Sequence, residues 1–240
     1  MSGWLEQRTV IVTGASRGIG AATAVALALR GARVIAVART EEALRETVET
    51  IHRNGGFAQS IRSDLSTPDA VPILFDAVER IGAVDGLVCA AATLGKGDVE
   101  HTTAAAWRDV MRLNVDAVWE CCRRLFLMSM APGAERRIVT LGSLSGIYAT
   151  EKFPGLAAYN SSKFAVIGLT EAVAVEGRDR GISAVCVSPG AVATAMLHEA
   201  NPHLVPRLSA ADAGGLIAEL LDGAGFPAMS GAVIPLFSNA

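Results

Sequence analysis

The 240-residue chain is 51% hydrophobic but only 5% aromatic, and 21 basic against 24 acidic side chains leave a net charge of −3. No run of like charge invites nucleic acid or an anionic membrane, and no apolar run reaches the roughly eighteen residues of a membrane span. Cysteines 89, 121, 122 and 186 lack CxxC or Cys/His spacing and the histidines form no HExxH, so buried thiols and no metal are expected. The amino-terminal MSGWLEQR has no apolar signal segment, which with the thiols reads as cytoplasmic.

Thr9–Thr13 (TVIVT) predicts a buried strand running into the turn TGASRGIG. Glycines at 14, 18 and 20, between a strand and an Ala-rich helix over 18–30, make a place where backbone N–H groups and a helix dipole receive a pyrophosphate. Gly14 suits the tight turn, Gly18 the close approach of backbone to phosphate, and Gly20 the packing of helix on strand. No Lys-Ser/Thr follows the last glycine, which excludes a P-loop. The second strand, Arg33–Ala38, ends on Ala38 and is followed at once by Arg39. Helix 41–53 puts Leu44, Val48 and Ile51 on one face, as cover for a sheet.

Further strands are expected at 57–62, 86–91, 137–141, 183–187 and 232–237, and helices at 68–81, 103–130, 157–179 and 209–222. Most strands read as continuous apolar runs, which implies burial on both faces and a parallel sheet. Strand–helix alternation along the whole chain then gives a doubly wound α/β fold. We expect a single Rossmann-type domain over 1–240, with about seven parallel strands.

Within helix 157–179 the stretch AYNSSK sets Tyr159 four residues before Lys163, on one helix face. An ammonium beside a phenol favours phenolate and lowers the tyrosine pKa from about 10, which suits acid/base work near neutral pH.

TGASRGIG with a later YxxxK resembles the short-chain dehydrogenase/reductase family, over essentially the whole chain. Asp64-Leu65, Asn114 in MRLNVDAV, Ser143 in TLGSLSG, and Pro189-Gly190 with Thr194 in SPGAVAT fall in the family's order. The nearest general resemblance is to 3-oxoacyl-carrier-protein reductase-like members. The resemblance implies a catalytic tetrad of Asn114, Ser143, Tyr159 and Lys163. Tyr159 passes the proton, Ser143 holds the substrate oxygen, and Lys163 binds the nicotinamide ribose. Asn114 anchors a water that links Lys163 to solvent. It also implies a cofactor held by Gly14, Ser16, Arg17, Gly18, Ile19 and Gly20 at the phosphates and by Asp64 and Leu65 at the adenine. Ala90 and Ala91 act there through their backbone, and Pro189, Gly190, Val192 and Thr194 line the nicotinamide end. Residues 194–208 resemble a substrate lid.

An acidic side chain ending the second strand would bond the ribose 2′-hydroxyl of NAD and repel a 2′-phosphate. Ala38 removes that repulsion, Arg39 offers a planar donor fork, and Arg17 approaches from the other side, so NADP(H) is expected over NAD(H). The substrate is expected to be a small-molecule ketone or secondary alcohol. A homo-oligomer, tetramer before dimer, is expected through helices 103–130 and 157–179, with Trp119, Phe126, Leu169 and Val173 as surplus apolar residues. Two departures stand out. Cys-Ala-Ala-Ala occupies 89–92 where the family has Asn-Asn-Ala-Gly, and the carboxyl end SGAVIPLFSNA lacks the usual Asp-Gly-Gly. The competing reading is a catalytically silent nucleotide-binding or regulatory protein of the same fold.

Overall fold

The apolar runs become strands because both faces of each find a helix. The structure, a computed structural model, describes residues 3–150 and 152–237. In chain order the strands are β1 (Thr9–Thr13), β2 (Arg33–Ala38), β3 (Phe57–Arg62), β4 (Gly86–Cys89), β5 (Arg136–Leu141) and β6 (Ile182–Pro189). A two-residue pair follows, β7 (Val192–Ala193) and β8 (Leu208–Ser209), and then β9 (Val233–Leu236). The helices are α1 (Gly18–Ala28), α2 (Glu41–Arg53), α3 (Ala70–Glu79), α4 (Ala104–Met111), α5 (Ala117–Leu127), α6 (Ala157–Gly177), α7 (Ala195–Ala200) and α8 (Ala210–Asp222). Among the described residues no helix is long and apolar enough to cross a membrane.

The main sheet has seven strands in the order β3-β2-β1-β4-β5-β6-β9, all parallel. Alternate residues feed two cores. Val10 and Val12 of β1 join Leu27 and Ile217 in one core, while Ile11 joins Leu74, Phe75 and Leu125 in the other. This is the doubly wound α/β sheet that continuous hydrophobicity demands. Its order reverses at β1, which has β2 on one side and β4 on the other. A crevice opens there at the carboxyl ends of the strands. At the sheet edge the burial argument weakens, and Phe57 of β3 is left exposed.

Three expectations change. The helix expected over 103–130 is two helices, α4 and α5, joined by a π-helical stretch at Arg112–Asp116. The extra residue per turn accommodates Asn114, fully buried and pointed at the backbone beyond β4. The fourth strand stops at Cys89 rather than 91, because the Ala90 and Ala91 N–H groups donate to the Thr13 hydroxyl at 3.1 and 3.2 Å. The stretch expected to act as a lid contains a helix, α7, and is closed at its base by the β7–β8 pair. All four cysteines are buried free thiols. Residues Ser238–Ala240 of the unusual carboxyl end lie outside the described residues.

Candidate active site

Every predicted site residue except Asn114 lines one cleft of ≈ 710 Å³ at the carboxyl ends of the strands. The turn after β1 builds its floor. Gly14 has φ +67°, and a Cβ there would meet the Ala91 backbone nitrogen at 2.7 Å. A Cβ on Gly20 would collide with the Gly14 carbonyl oxygen. The turn is thus pressed onto the loop after β4, and only hydrogen fits at these two positions. The start of α1 faces the cleft with no side-chain cap and no acidic residue in its first turn. Unclaimed N–H groups and a positive helix end suit a phosphate. Gly18, with φ +58°, lies opposite Thr194, whose Cγ2 is 3.4 Å from where a Cβ would stand. Thr194 itself caps α7, its hydroxyl accepting from Leu197 N at 3.2 Å and donating to the Val192 carbonyl at 3.2 Å.

At one end of the cleft lie Ser16, Arg17 and Ile19 of the turn, then Ala38, Arg39, Asp64 and Leu65. Ala38 ends β2 and is buried, while Arg39 is exposed. Asp64 accepts from Ser66 Oγ at 2.6 Å and Ser66 N at 3.1 Å. The Ser66 hydroxyl, with help from Arg39, holds the Asp64 carboxyl below its ordinary range. Pro189, Gly190 and Val192 form the wall beyond β6, where Gly190 N donates to the Leu236 carbonyl at 2.9 Å.

The other half centres on α6. Lys163 is 3% exposed, and its Nζ donates to the Leu141 carbonyl at 2.7 Å. It lies 5.6 Å from the Tyr159 ring centroid, the same-face placement that the four-residue spacing requires. Burial lowers the Lys163 pKa to about 8, with the Cys186 and Cys89 thiols opposing. The Ser143 hydroxyl is near enough to Tyr159 to oppose the effect of burial on its phenol. Ser143 follows β5, and its Oγ accepts from Ser145 N at 3.1 Å.

The expected lowering of the tyrosine pKa is corrected. Burial holds Tyr159 above its ordinary value, and the opposing influence is Ser143 rather than Lys163. Asn114 sits behind the wall instead of on it. Its Nδ2 donates to the Thr93 carbonyl at 2.9 Å and to Ser162 Oγ at 3.0 Å, and its Oδ1 accepts from Thr93 N at 2.8 Å. Its side chain is a strut between the π-helical stretch, the loop after β4, and α6. Sequence reasoning missed Thr13, whose hydroxyl holds the Cys-Ala-Ala-Ala turn by accepting from Ala90 N and Ala91 N. A threonine immediately before the first glycine was the available signal. It also missed Leu94, Phe153 and Leu156, apolar lining residues that no short motif marks.

A model of the short chain dehydrogenase family matches residues 8–204. The chain belongs to the short-chain dehydrogenase/reductase family. A 3beta-hydroxysteroid dehydrogenase of Mediterraneibacter gnavus is 34% identical over 216 residues, covering 89% of this chain and 76% of the relative. A 3-oxoacyl-[acyl-carrier-protein] reductase of Synechocystis is 33% identical over 199 residues, 82% of this chain and 79% of the relative. Among solved structures, a putative NAD(P) dependent gluconate 5-dehydrogenase of Beutenbergia cavernae with bound NADP superposes with a TM-score of 0.88. It is 30% identical, with 96% of this chain and 95% of that one covered. A short chain dehydrogenase of Burkholderia cenocepacia in complex with NADP gives a TM-score of 0.86 at 30% identity, with 97% of each chain covered. This short-chain dehydrogenase/reductase is therefore an oxidoreductase, related to named dehydrogenases and reductases that act on CH–OH groups.

Proposed function

We propose that the chain, one domain over 1–240, is an NADP(H)-dependent oxidoreductase. It interconverts a ketone and a secondary alcohol, with Tyr159 as general acid and base. The observation that carries this reading is the convergence of Ser143, Tyr159 and Lys163 at one end of a cleft whose other end offers an uncapped helix start and two arginines. The residues fit the dinucleotide. The α1 turn with Arg17 and Arg39 would hold its phosphates, Asp64 and Leu65 its adenine, and Pro189 to Thr194 its nicotinamide end. Bound there, the nicotinamide supplies or accepts the hydride.

This chain's own residues handle position and proton. The Ser143 and Tyr159 hydroxyls converge where a substrate oxygen would sit, so charge developing on that oxygen meets two donors. In reduction the Tyr159 hydroxyl gives its proton to that oxygen; in oxidation the phenolate takes it back. Burial keeps Tyr159 protonated, which favours the acid role. Lys163, fixed by the Leu141 carbonyl, carries the positive charge on which a phenolate would depend and holds ribose hydroxyls. Asn114 keeps this helix face in register through Ser162 and Thr93, and its π-helical backbone is the proposed anchor for a relay water. A cytoplasmic homo-oligomer completes the proposal.

The test is Tyr159→Phe. We expect a loss of about 10²-fold or more in kcat on any accepted substrate, while NADPH affinity by fluorescence titration changes less than about threefold. Near-normal turnover in the variant would remove Tyr159 from the proton path.

A further inference from the structure

We propose that the substrate half of the cleft takes an uncharged carbonyl compound whose reacting carbon is flanked by an apolar ring or chain, and rejects ketones bearing a carboxylate. The proposal deepens the oxidoreductase reading and rests on it for the position of the reacting carbon. Among the described residues lining the cleft, four side chains carry a formal charge at neutral pH: Arg17, Arg39, Asp64 and Lys163. The first three belong to the dinucleotide end. Lys163 sits at the centre, tied to the Leu141 carbonyl and assigned to the nicotinamide ribose and Tyr159. Beyond Tyr159 the walls come from three separate segments, with Leu94, Leu144, Phe153, Met196, Leu197 and Leu204 on them.

The cations nearest this end in the chain stay out of it: Arg207, three residues past Leu204, is exposed and does not line the cleft, and two lysines are engaged elsewhere. Lys96 Nζ donates to the Glu199 carbonyl at 3.2 Å, tying the loop after β4 to the end of α7, and Lys96 does not line the cleft. Lys152 Nζ donates to the Ile147 carbonyl at 2.7 Å and to Thr150 Oγ1 at 2.6 Å. Thr150 does line the cleft, yet its hydroxyl already donates to the Leu144 carbonyl and accepts from Lys152. A carboxylate brought here would shed its water and meet no compensating charge, which is the costly case for a buried ion. An apolar flank would leave water for leucine, phenylalanine and methionine side chains, which is favourable without directional partners. Such a site discriminates by the penalty it imposes on the wrong substrate.

The probe is a matched pair of cyclohexanones, 4-tert-butylcyclohexanone and 4-oxocyclohexanecarboxylate, which differ only in the group opposite the carbonyl. Turnover of each is measured with the full chain and NADPH. Binding of each is measured by calorimetry with NADP+, which cannot reduce a ketone. We expect both kcat/KM and affinity to favour the tert-butyl compound by about 100-fold or more. Leu204→Arg should raise kcat/KM for the carboxylate about tenfold or more and lower it for the tert-butyl compound. Equal or better turnover of the carboxylate overturns the substrate inference and leaves the oxidoreductase reading standing. Selective binding of the tert-butyl ketone without reduction of either overturns that reading and leaves the pocket inference standing. Binding of neither ketone, or an unchanged preference in Leu204→Arg, overturns the inference.

Discussion

Lys163 holds an ammonium where water scarcely reaches, on the Leu141 carbonyl, and burial brings its pKa down to about 8. In the unfolded chain the same amine titrates near 10.4. Between about pH 8 and 10.4 the unfolded chain therefore binds a proton that the folded chain has released, so this residue's contribution to stability rises with pH across that window. Comparison with Lys163→Met cancels the opposite drift from the raised Cys122 and Tyr159. Cys89, which the Lys163 charge holds down, drifts further in the variant and widens the difference in the same direction. At about 1.4 kcal/mol per pKa unit, wild type should gain about 3 kcal/mol on the variant from pH 7 to above 10, read from urea unfolding at each pH. Parallel pH profiles would contradict it. Reductive kcat/KM should fall through the same pKa, as Lys163 loses its charge. At the other end of the cleft Ala38 and Arg39 make a charge prediction. Two charge-assisted phosphate contacts of about 1.5–3 kcal/mol each, discounted for exposure, leave at least about tenfold preference for NADPH over NADH in kcat/KM. Ala38→Asp with Arg39→Ser should reverse it, and an unaltered ratio would show that Arg39 does not read the 2′-phosphate. Both ends were legible as spacing and charge in the sequence. The sign of the Tyr159 shift was not, because burial outweighs the opposing Ser143 hydroxyl and burial is a property of the folded cleft.

Elements show where local pattern stops being sufficient. The glycine-rich turn announces itself, since φ +67° at Gly14 and backbone contact at Gly20 leave few other residue types admissible. The turn after β4 does not, because its three alanines exclude little. Its hydrogen bonding comes from across the sheet: Thr13 Oγ1 accepts from Ala90 N and Ala91 N and lies 3.4 Å from the Val88 carbonyl. Removing that hydroxyl strands two N–H groups in a buried seam. Thr13→Val should cost about 1–3 kcal/mol of stability, and Thr13→Ser should recover most of it in urea titrations. Equal stabilities for Val and Ser would assign the seam to packing alone. The π-helical stretch at Arg112–Asp116 was illegible for the same reason. Apolar periodicity across 104–127 suits an uninterrupted helix, and the residue that breaks it, Asn114, is satisfied by Thr93 and Ser162, distant in sequence.

At the scale of the whole molecule, strand–helix alternation gave the layers and burial on both faces gave parallel pairing, both readable from composition along the chain. What alternation cannot specify is which apolar residues remain after the cores are filled. Of the four residues expected to be surplus, Val173 is buried in the protomer's own core, and Phe126 and Leu169 pack against that core. Trp119 alone stays out, 51% exposed. The structure supplies companions: Leu127, two turns along α5, and Phe164 and Val175 on neighbouring α6, all exposed. The spacing of 119 to 127 and of 164 to 175 sets each pair along one side of its helix. On α6 that side also carries Gly168, where a Cβ would meet nothing within 4 Å. A bare glycine between two apolar residues lets a second helix come close, and a two-fold axis would bring the same surface of another copy against it. Two adjacent helices with such stripes form the kind of contiguous patch that monomers seldom leave in water. Light scattering at micromolar concentration should therefore report a tetramer or a dimer. Trp119→Glu combined with Phe164→Glu should shift the mass toward the monomer, with circular dichroism unchanged. A wild type that is monomeric at that concentration, or a double variant that retains the wild-type mass, would show that these helices do not form the contact between copies.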